Sequence, residues 1–291
     1  MTTNRKPDMN EKICLITGAN AGIGKVTAQK LANFGATVVM VCRNRQKGEA
    51  ALNEIKKKSG NANIELMIAD LSSQAEIRRL ADEFKAQHNR LDVLVNNAGV
   101  YLPKRTLTVD NIETTFAVNH LAYFLLTNLL LDVLKQSAPS RIISVSSEAH
   151  KYGKVEFDNL QGEREYKGIP AYSNSKLENV LFTRELAHRL AGTKVTANSL
   201  HPGAVATGIF RNTPKPIEWL IKMFTMSPEK GAETSVYLAT SSEVEGITGK
   251  YFEKKLEKYP SRIAQDDELA RKLWQVSEQL IGLNQGISTT V

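Results

Sequence analysis

A chain of 291 residues, 42% hydrophobic and 24% charged, carries enough apolar material for one large core and is too apolar for a disordered polymer. Its two cysteines, Cys14 and Cys42, lie in aliphatic runs, which excludes a disulfide framework and any CxxC metal site and fits a reducing compartment. The net charge of +7 is dispersed among acids, as in EIKKK and FEKKLEK, so it reads as solvated helix faces rather than a nucleic-acid stripe.

No helix-turn-helix, RNP or zinc-finger pattern occurs, and nucleic acid is not an expected partner. The basic excess suits a phosphate-bearing ligand or peripheral contact with an anionic membrane. The first ten residues, MTTNRKPDMN, are polar and lack a signal-peptide core, so the expected location is cytoplasmic. His120 to Leu134 is the most apolar stretch, but it is short for a membrane span and contains Asn128 and Asp132; it reads as a buried helix.

In chain order, short β-branched runs alternate with longer amphipathic stretches. ICLIT (13–17) precedes a helix ending near Gly35, ATVVMVC (36–42) a charged helix to about Lys58, and NIELMIA (63–69) a helix through about His88. LDVLV (91–95) leads into a long helical segment 108–135, and RIISVS (141–146) into a helix around 171–191. KVTANSL (194–200) and TGKYF (248–252) supply the last strands, and Asp266 to Leu280 forms a closing amphipathic helix. The strand runs are continuously apolar, as strands covered on both faces must be. This pattern predicts a Rossmann-type α/β fold: a doubly wound parallel sheet of about seven strands with helices on both faces. A single domain is expected over 11–283, between polar tails 1–10 and 284–291. Segment 204–230, with many large apolar residues around two prolines beside the expected nicotinamide, reads as a substrate lid, with ordinary helix packing as the competing reading.

The first strand runs into TGANAGIG, with Gly18, Gly22 and Gly24. The spacing departs from G-x-G-x-x-G, but the physics carries over: glycines permit a tight turn, let backbone approach a pyrophosphate, and aim helix N-terminal amides at it. Between a first strand and a first helix, this points to dinucleotide binding. An NAD-selective site wants an acid at the end of the second strand, whereas this chain has Val41-Cys42-Arg43-Asn44. The missing acid, with the Arg43 fork, favours NADP(H); the competing reading of Arg43 is a solvated surface arginine.

Tyr172-Ser173-Asn174-Ser175-Lys176 places Tyr172 and Lys176 one helical turn apart. A lysine ammonium there, with an oxidised nicotinamide, is expected to lower the tyrosine pKa for proton transfer. Ser147 ends the fifth strand, Asn96-Asn97-Ala98-Gly99 ends the fourth, and Asn119 stands in an otherwise apolar helix. The carboxyl ends of such strands form the ligand edge of an open α/β sheet.

TGANAGIG, NNAG, the Asn119 position, VSS, YSNSK and HPGAVATG, in this order, resemble the short-chain dehydrogenase/reductase family across almost the whole chain. The resemblance implies a catalytic set of Asn119, Ser147, Tyr172 and Lys176. Tyr172 is the acid/base, Ser147 orients the carbonyl, Lys176 binds the nicotinamide ribose, and Asn119 holds a relay water. Implied cofactor contacts are Gly18, Asn20, Gly22, Ile23, Gly24, Arg43, Asn44, Asp70, Leu71, Asn97, Ala98, Gly99, Tyr172, Lys176, Pro202, Gly203, Val205 and Thr207. Asp70 is placed at the adenine end, and Pro202 to Thr207 close over the nicotinamide. Ser146 is the neighbouring competitor for the serine role.

The 25-residue interval from Ser147 to Tyr172, with DNLQGEREY inside it, is similar to the retinol dehydrogenase branch. So are VCRN, AYSNSKLENVLFTRELAHRL and ARKLWQVSEQLIGL. The branch implies NADPH-linked interconversion of an apolar alcohol and its aldehyde or ketone. The alternatives weighed are a protochlorophyllide-reductase-like enzyme, which usually has CNAG and a cysteine after the lysine, and a non-catalytic NADP-binding redox sensor, which usually lacks the tyrosine or lysine. Relatives commonly pair through the helices at 108–135 and 171–191, so a homodimer is an expectation.

Overall fold

Parallel strands bury both faces, so their side chains must divide between two apolar layers. The computed structural model, which describes residues 7–203 and 227–283, shows this division. Eight strands form one sheet in the order β3-β2-β1-β4-β5-β6-β7-β8. They are β1 (Ile13–Thr17), β2 (Thr37–Cys42), β3 (Ile64–Ile68), β4 (Val93–Asn96), β5 (Ser140–Val145), β6 (Val195–His201), β7 (Tyr251–Glu253) and β8 (Leu256–Lys258). The pairs from β3 through β7 are parallel. Leu15, Val39, Leu94 and Ile142 face one core, while Cys14, Ile16, Val38, Met40 and Ile143 face the other.

The expected seven parallel strands are joined by an eighth. β8 turns back antiparallel on β7 and is fully exposed. Its LEK sequence puts charge on a free edge, which discourages pairing with another chain.

Helices α1 (Gly22–Asn33) and α2 (Arg45–Ser59) pack on one side with the helix Pro228–Thr240. On the other side lie α3 (Gln74–Gln87), α5 (Ala122–Leu129) and α7 (Gly168–Arg189). Local chemistry sets several ends. Asn44 caps α2 by accepting from the Lys47 N–H at 2.9 Å, and Gly60 ends it at a φ of 70°. Asp266 caps the C-terminal helix Asp267–Leu280 by accepting from Glu268 and Leu269 N–H groups, each at 2.9 Å.

The long helix expected over 108–135 is instead segmented. Leu107 bridges Glu113 before any helix begins, and the Glu113 carboxylate caps the short α4 (Thr114–Phe116) at the Thr115 and Phe116 N–H groups. A π-helical turn, Ala117–Leu121, precedes α5, and α6 (Leu131–Gln136) follows. Helix α7 begins at Gly168, three residues before the predicted start. The expected lid 204–230 lies outside the described residues up to 226, and its last residues belong to the cap and first turn of the Pro228–Thr240 helix.

The C-terminal helix covers the outer side of α5 and α7. Trp274 lies against Phe124 and Phe182, with ring centres 4.6 and 5.9 Å apart, and the Arg189 guanidinium sits 4.3 Å over the indole. His120, buried and with its pKa lowered to about 3 by desolvation, shares a 2.8 Å hydrogen bond with Ser277. Among the described residues no helix is long and apolar enough to cross a membrane.

Asp92 ties the start of β1 to β4. It accepts from the Ile13 N–H at 2.9 Å, from Lys12 at 3.0 Å and from Arg90 at 2.7 Å. Burial raises its pKa, but Arg90, the Ile13 N–H and Lys12 outweigh burial and leave the carboxyl below its ordinary range. The stabilisation is therefore present at neutral pH and is lost as acid protonates the group below the ordinary carboxylate range. Asp92→Ala should lower stability by about 2 kcal/mol at neutral pH and flatten the acid limb of the profile, read from urea midpoints across pH.

Candidate active site

In-register parallel pairing carries the ends of β1, β4, β5 and β6 to a common edge, and the order of strands reverses between β1 and β4. Ligands bind at such a switch point in open α/β sheets. The glycine turn sits there. Gly18 and Gly22 adopt φ values of 68° and 56°, which side chains resist. Gly24 is required by close approach: a Cβ there would lie 2.5 Å from both the Gly18 carbonyl oxygen and Asn97 Nδ2. No side chain caps α1, so its first amides face outward as an anion site needs. This cradle fits a pyrophosphate, and Gly18, Asn20, Gly22, Ile23 and Gly24 all lie on it.

Thr17 and Asn97 brace the cradle. Thr17 Oγ1 accepts from the Asn97 and Ala98 N–H groups at 2.9 and 3.0 Å, and Asn97 Nδ2 returns a 2.7 Å bond to the Thr17 carbonyl. The Tyr123 hydroxyl holds the Ala98 carbonyl at 2.8 Å. Sequence reading missed Thr17 and Tyr123. A polar residue directly before the turn was the available signal for Thr17.

The central group is tightly built. Lys176, only 2% exposed, donates to the Val145 carbonyl at 3.1 Å, and its Nζ lies 5.6 Å from the Tyr172 ring centre. Gly99 leaves room above this point, since a Cβ would stand 3.4 Å from Asn119 Oδ1 and 3.5 Å from Lys176 Nζ. Burial pushes the Tyr172 hydroxyl up to about 12, partly offset by a hydrogen bond with Ser147. Burial also pulls Lys176 down to about 7. The expected lowering of the tyrosine pKa by lysine is thus absent from the protein alone: desolvation dominates both groups and favours the neutral form of each. Tyr172 rests as a protonated acid.

Of the two candidate serines, only Ser147 faces the tyrosine. The Ser146 hydroxyl turns back to the Lys176 backbone carbonyl at 2.7 Å. Asn119 lies in the π-helical turn, fully buried, and its amide is committed: Nδ2 donates to the Val100 carbonyl and to Ser175 Oγ, each at 2.9 Å, while Oδ1 accepts from the Val100 N–H at 2.8 Å. It braces the loop after Gly99 against α7, with both side-chain donors already used. Tyr101 stands edge-on to Tyr172, 6.3 Å between ring centres, and forms one wall.

The outlying positions are less uniform. Arg43 is exposed at the end of β2 and pairs with no carboxylate among the described residues, whereas the Asn44 side-chain oxygen is engaged as the α2 cap. Asp70 Oδ1 accepts from the Ser72 N–H and hydroxyl at 2.9 and 2.8 Å, which fixes the turn beside Leu71. Pro202 and Gly203 follow β6 at the same edge; Val205 and Thr207 lie outside the described residues.

The profile of the short chain dehydrogenase family matches residues 12–218. The chain belongs to that family. Within it, human Retinol dehydrogenase 14 is 45% identical over 94% of this chain and 88% of that protein. Human Retinol dehydrogenase 11 is 44% identical over 94% and 86%. These relatives place the chain in the retinol dehydrogenase branch of a family of oxidoreductases. A crystal structure of an uncharacterised protein from Mycobacterium paratuberculosis superposes with a TM-score of 0.78 at 35% identity, covering 95% of both chains. The active-site complex of Pseudomonas aeruginosa RhlG with NADP superposes at 0.68 and 27% identity, covering 84% of this chain and 95% of that one.

Gly24→Ala should weaken nucleotide binding at least about tenfold and lower Tm by several degrees, because the methyl meets backbone oxygen rather than a yielding side chain. Fluorescence titration and a thermal melt check both effects.

Proposed function

We propose that this protein is an NADPH-dependent oxidoreductase interconverting an apolar alcohol and its aldehyde or ketone, with Tyr172 as acid/base. The observation that supports this most is the enclosure of Tyr172 with Lys176, whose Nζ lies 5.6 Å from the tyrosine ring centre, with Ser147 close enough to ease the tyrosine pKa downward, at the same edge as the glycine cradle. NADPH, when bound, supplies the hydride. Ser147 holds the carbonyl oxygen in reach of Tyr172, which gives up its proton as negative charge builds on that oxygen. Lys176, beneath the space that Gly99 leaves open, is placed to bind ribose hydroxyls; such acceptors favour its charged form and so ease loss of the tyrosine proton. Arg43 provides the donor fork for a 2′-phosphate, and no carboxylate at the end of β2 opposes it. The named retinol dehydrogenases and the aromatic wall of Tyr101 favour an apolar substrate.

The two free, buried cysteines favour a reducing compartment, and a cytoplasmic location is part of this reading; cell fractionation tests it. Any homodimer through α5 and α7 would have to include the C-terminal helix that already covers them, and mass measured across concentration tests that assembly.

The central experiment is NADPH oxidation with retinal, medium-chain aldehydes and quinones. Tyr172→Phe should reduce kcat about a thousandfold while coenzyme still binds. Arg43→Ala should raise the KM for NADPH about tenfold and leave that for NADH nearly unchanged. An unchanged rate in Tyr172→Phe would end the proposed mechanism.

The raised tyrosine pKa sets the sign of a pH effect. The acid needed for reduction is present throughout the neutral range, whereas oxidation needs the phenolate. Oxidation should therefore accelerate from about pH 6 to about pH 9 while reduction does not, as paired pH–rate profiles would record.

A further inference from the structure

Ser147 can orient a carbonyl only if its backbone is held still, and the chain changes course immediately after it. β5 ends at Val145, Ser147 is extended with φ −157° and ψ 159°, and a 3-10 turn, Glu148–Tyr152, follows. The peptide group joining Ser147 to Glu148 has one acceptor and one donor, and an imidazole engages each. His150 Nδ1 lies 2.7 Å from the Ser147 carbonyl oxygen, and the Glu148 N–H donates to His201 Nδ1 at 3.1 Å. We propose that His150 and His201 are positioning residues that clamp this peptide plane and so aim the Ser147 hydroxyl at Tyr172. The inference rests on the role of Ser147 given under Proposed function.

The hydrogen-bond network assigns the tautomers. His150 Nε2 receives the Ser261 N–H at 3.1 Å, and a backbone N–H can only donate. Nε2 therefore carries the lone pair and Nδ1 the proton, which is the arrangement needed to donate to the Ser147 carbonyl. At His201, Nδ1 is the acceptor, so its proton is on Nε2. Both rings must be neutral to do this. Burial lowers both pKa values and Lys151 lowers them further, against Glu148 at both rings and Glu253 at His201.

The three anchors come from separate parts of the chain. His150 follows β5, His201 ends β6, and Ser261 lies in the segment after β8. His150 also packs at a tilt against Tyr251 of β7, with ring centres 4.8 Å apart. With the plane fixed, and with the Ser146 N–H bonded to the Leu200 carbonyl at 2.8 Å, little remains free except the Ser147 side-chain torsion. The Ala149 N–H, 3.2 Å from Ser147 Oγ, biases that torsion too. His120 provides the contrast: it is equally buried but bonds to Ser277 deep under the C-terminal helix, away from the cradle.

The test compares residues that can and cannot replace each bond. Asn at 201 presents Oδ1 where Nδ1 stood, whereas Gln places its oxygen one bond too far; Asn at 150 presents a side-chain N–H to the Ser147 carbonyl, whereas Leu leaves it only the backbone N–H of residue 150, which already bonds there at 3.1 Å. His201→Gln and His150→Leu should lower kcat about thirtyfold with the Kd for NADPH within twofold of wild type, and His201→Asn and His150→Asn should recover most of it. On a Ser147→Ala background, the damaging substitutions should cost less than about twofold further, because the group they aim is gone. Equal losses on both backgrounds, or Asn variants as poor as Gln and Leu, would overturn the clamp and leave a structural role. A disabled Ser147→Ala beside fully active His201→Gln and His150→Leu would overturn the clamp alone. Wild-type kcat in Ser147→Ala would overturn the serine's role and the clamp with it.

Discussion

The tie between the ends of β1 and β4 is the constraint on which the site depends. A doubly wound sheet opens a crevice where the chain departs in opposite directions from adjacent strands, and the β1–β4 ladder ends at Ile16 and Val95, just short of it. Here Thr17 accepts three hydrogen bonds across it, two from Asn97 and one from the Ala98 N–H. The bonds hold the Gly18 turn against Ala98, close enough that a Cβ at Gly18 would lie 3.0 Å from the Ala98 Cα. The phosphate cradle and the Gly99 opening over Lys176 are thus one rigid unit. A displacement of either strand end would be felt at both.

The second organising feature is desolvation. Tyr172 and Lys176 are enclosed together, and burial moves their pKa values in opposite directions, to about 12 and about 7. Each group is thereby biased towards its neutral form, which lowers the electrostatic cost of keeping both out of water. Several polar atoms around them are paired: Ser146 takes the Lys176 backbone carbonyl, Asn119 joins Ser175 to the Gly99 loop, and the Val145 carbonyl receives the Lys176 amino group. These polar residues form the frame of the crevice, beside which Ser147 and Tyr172 stand together.

The remote helix at the C-terminus contributes to the same rigidity. By packing Trp274 against Phe124 and Phe182, it covers α5, which continues the turn that carries Asn119, and α7, which carries Lys176. Burial of that indole and its neighbours supplies apolar stabilisation far from the crevice, where it does not compete with ligand access.

Much of this was legible in the sequence because it is periodic or local. Continuous apolar runs such as ICLIT and TVVMVC reported strands buried on both faces, their alternation with long amphipathic stretches reported the winding, and the glycine cluster reported the cradle, since only glycine tolerates those torsions and that approach. What tertiary structure alone decided involves partners far apart in the chain. Sequence could not make Asn119 a brace, bring Thr17 to Asn97, or engage the Ser147–Glu148 peptide with His150 and His201. It left Ser146 and Ser147 as neighbours differing only in the direction of a side chain, and the sheet register resolved them. It also suggested a charged lysine lowering the tyrosine pKa, because spacing along a helix reveals proximity but not water exclusion. Periodicity encodes which face is apolar; the depth to which folding buries a particular polar group, and the partner it finds there, emerges only when distant segments meet.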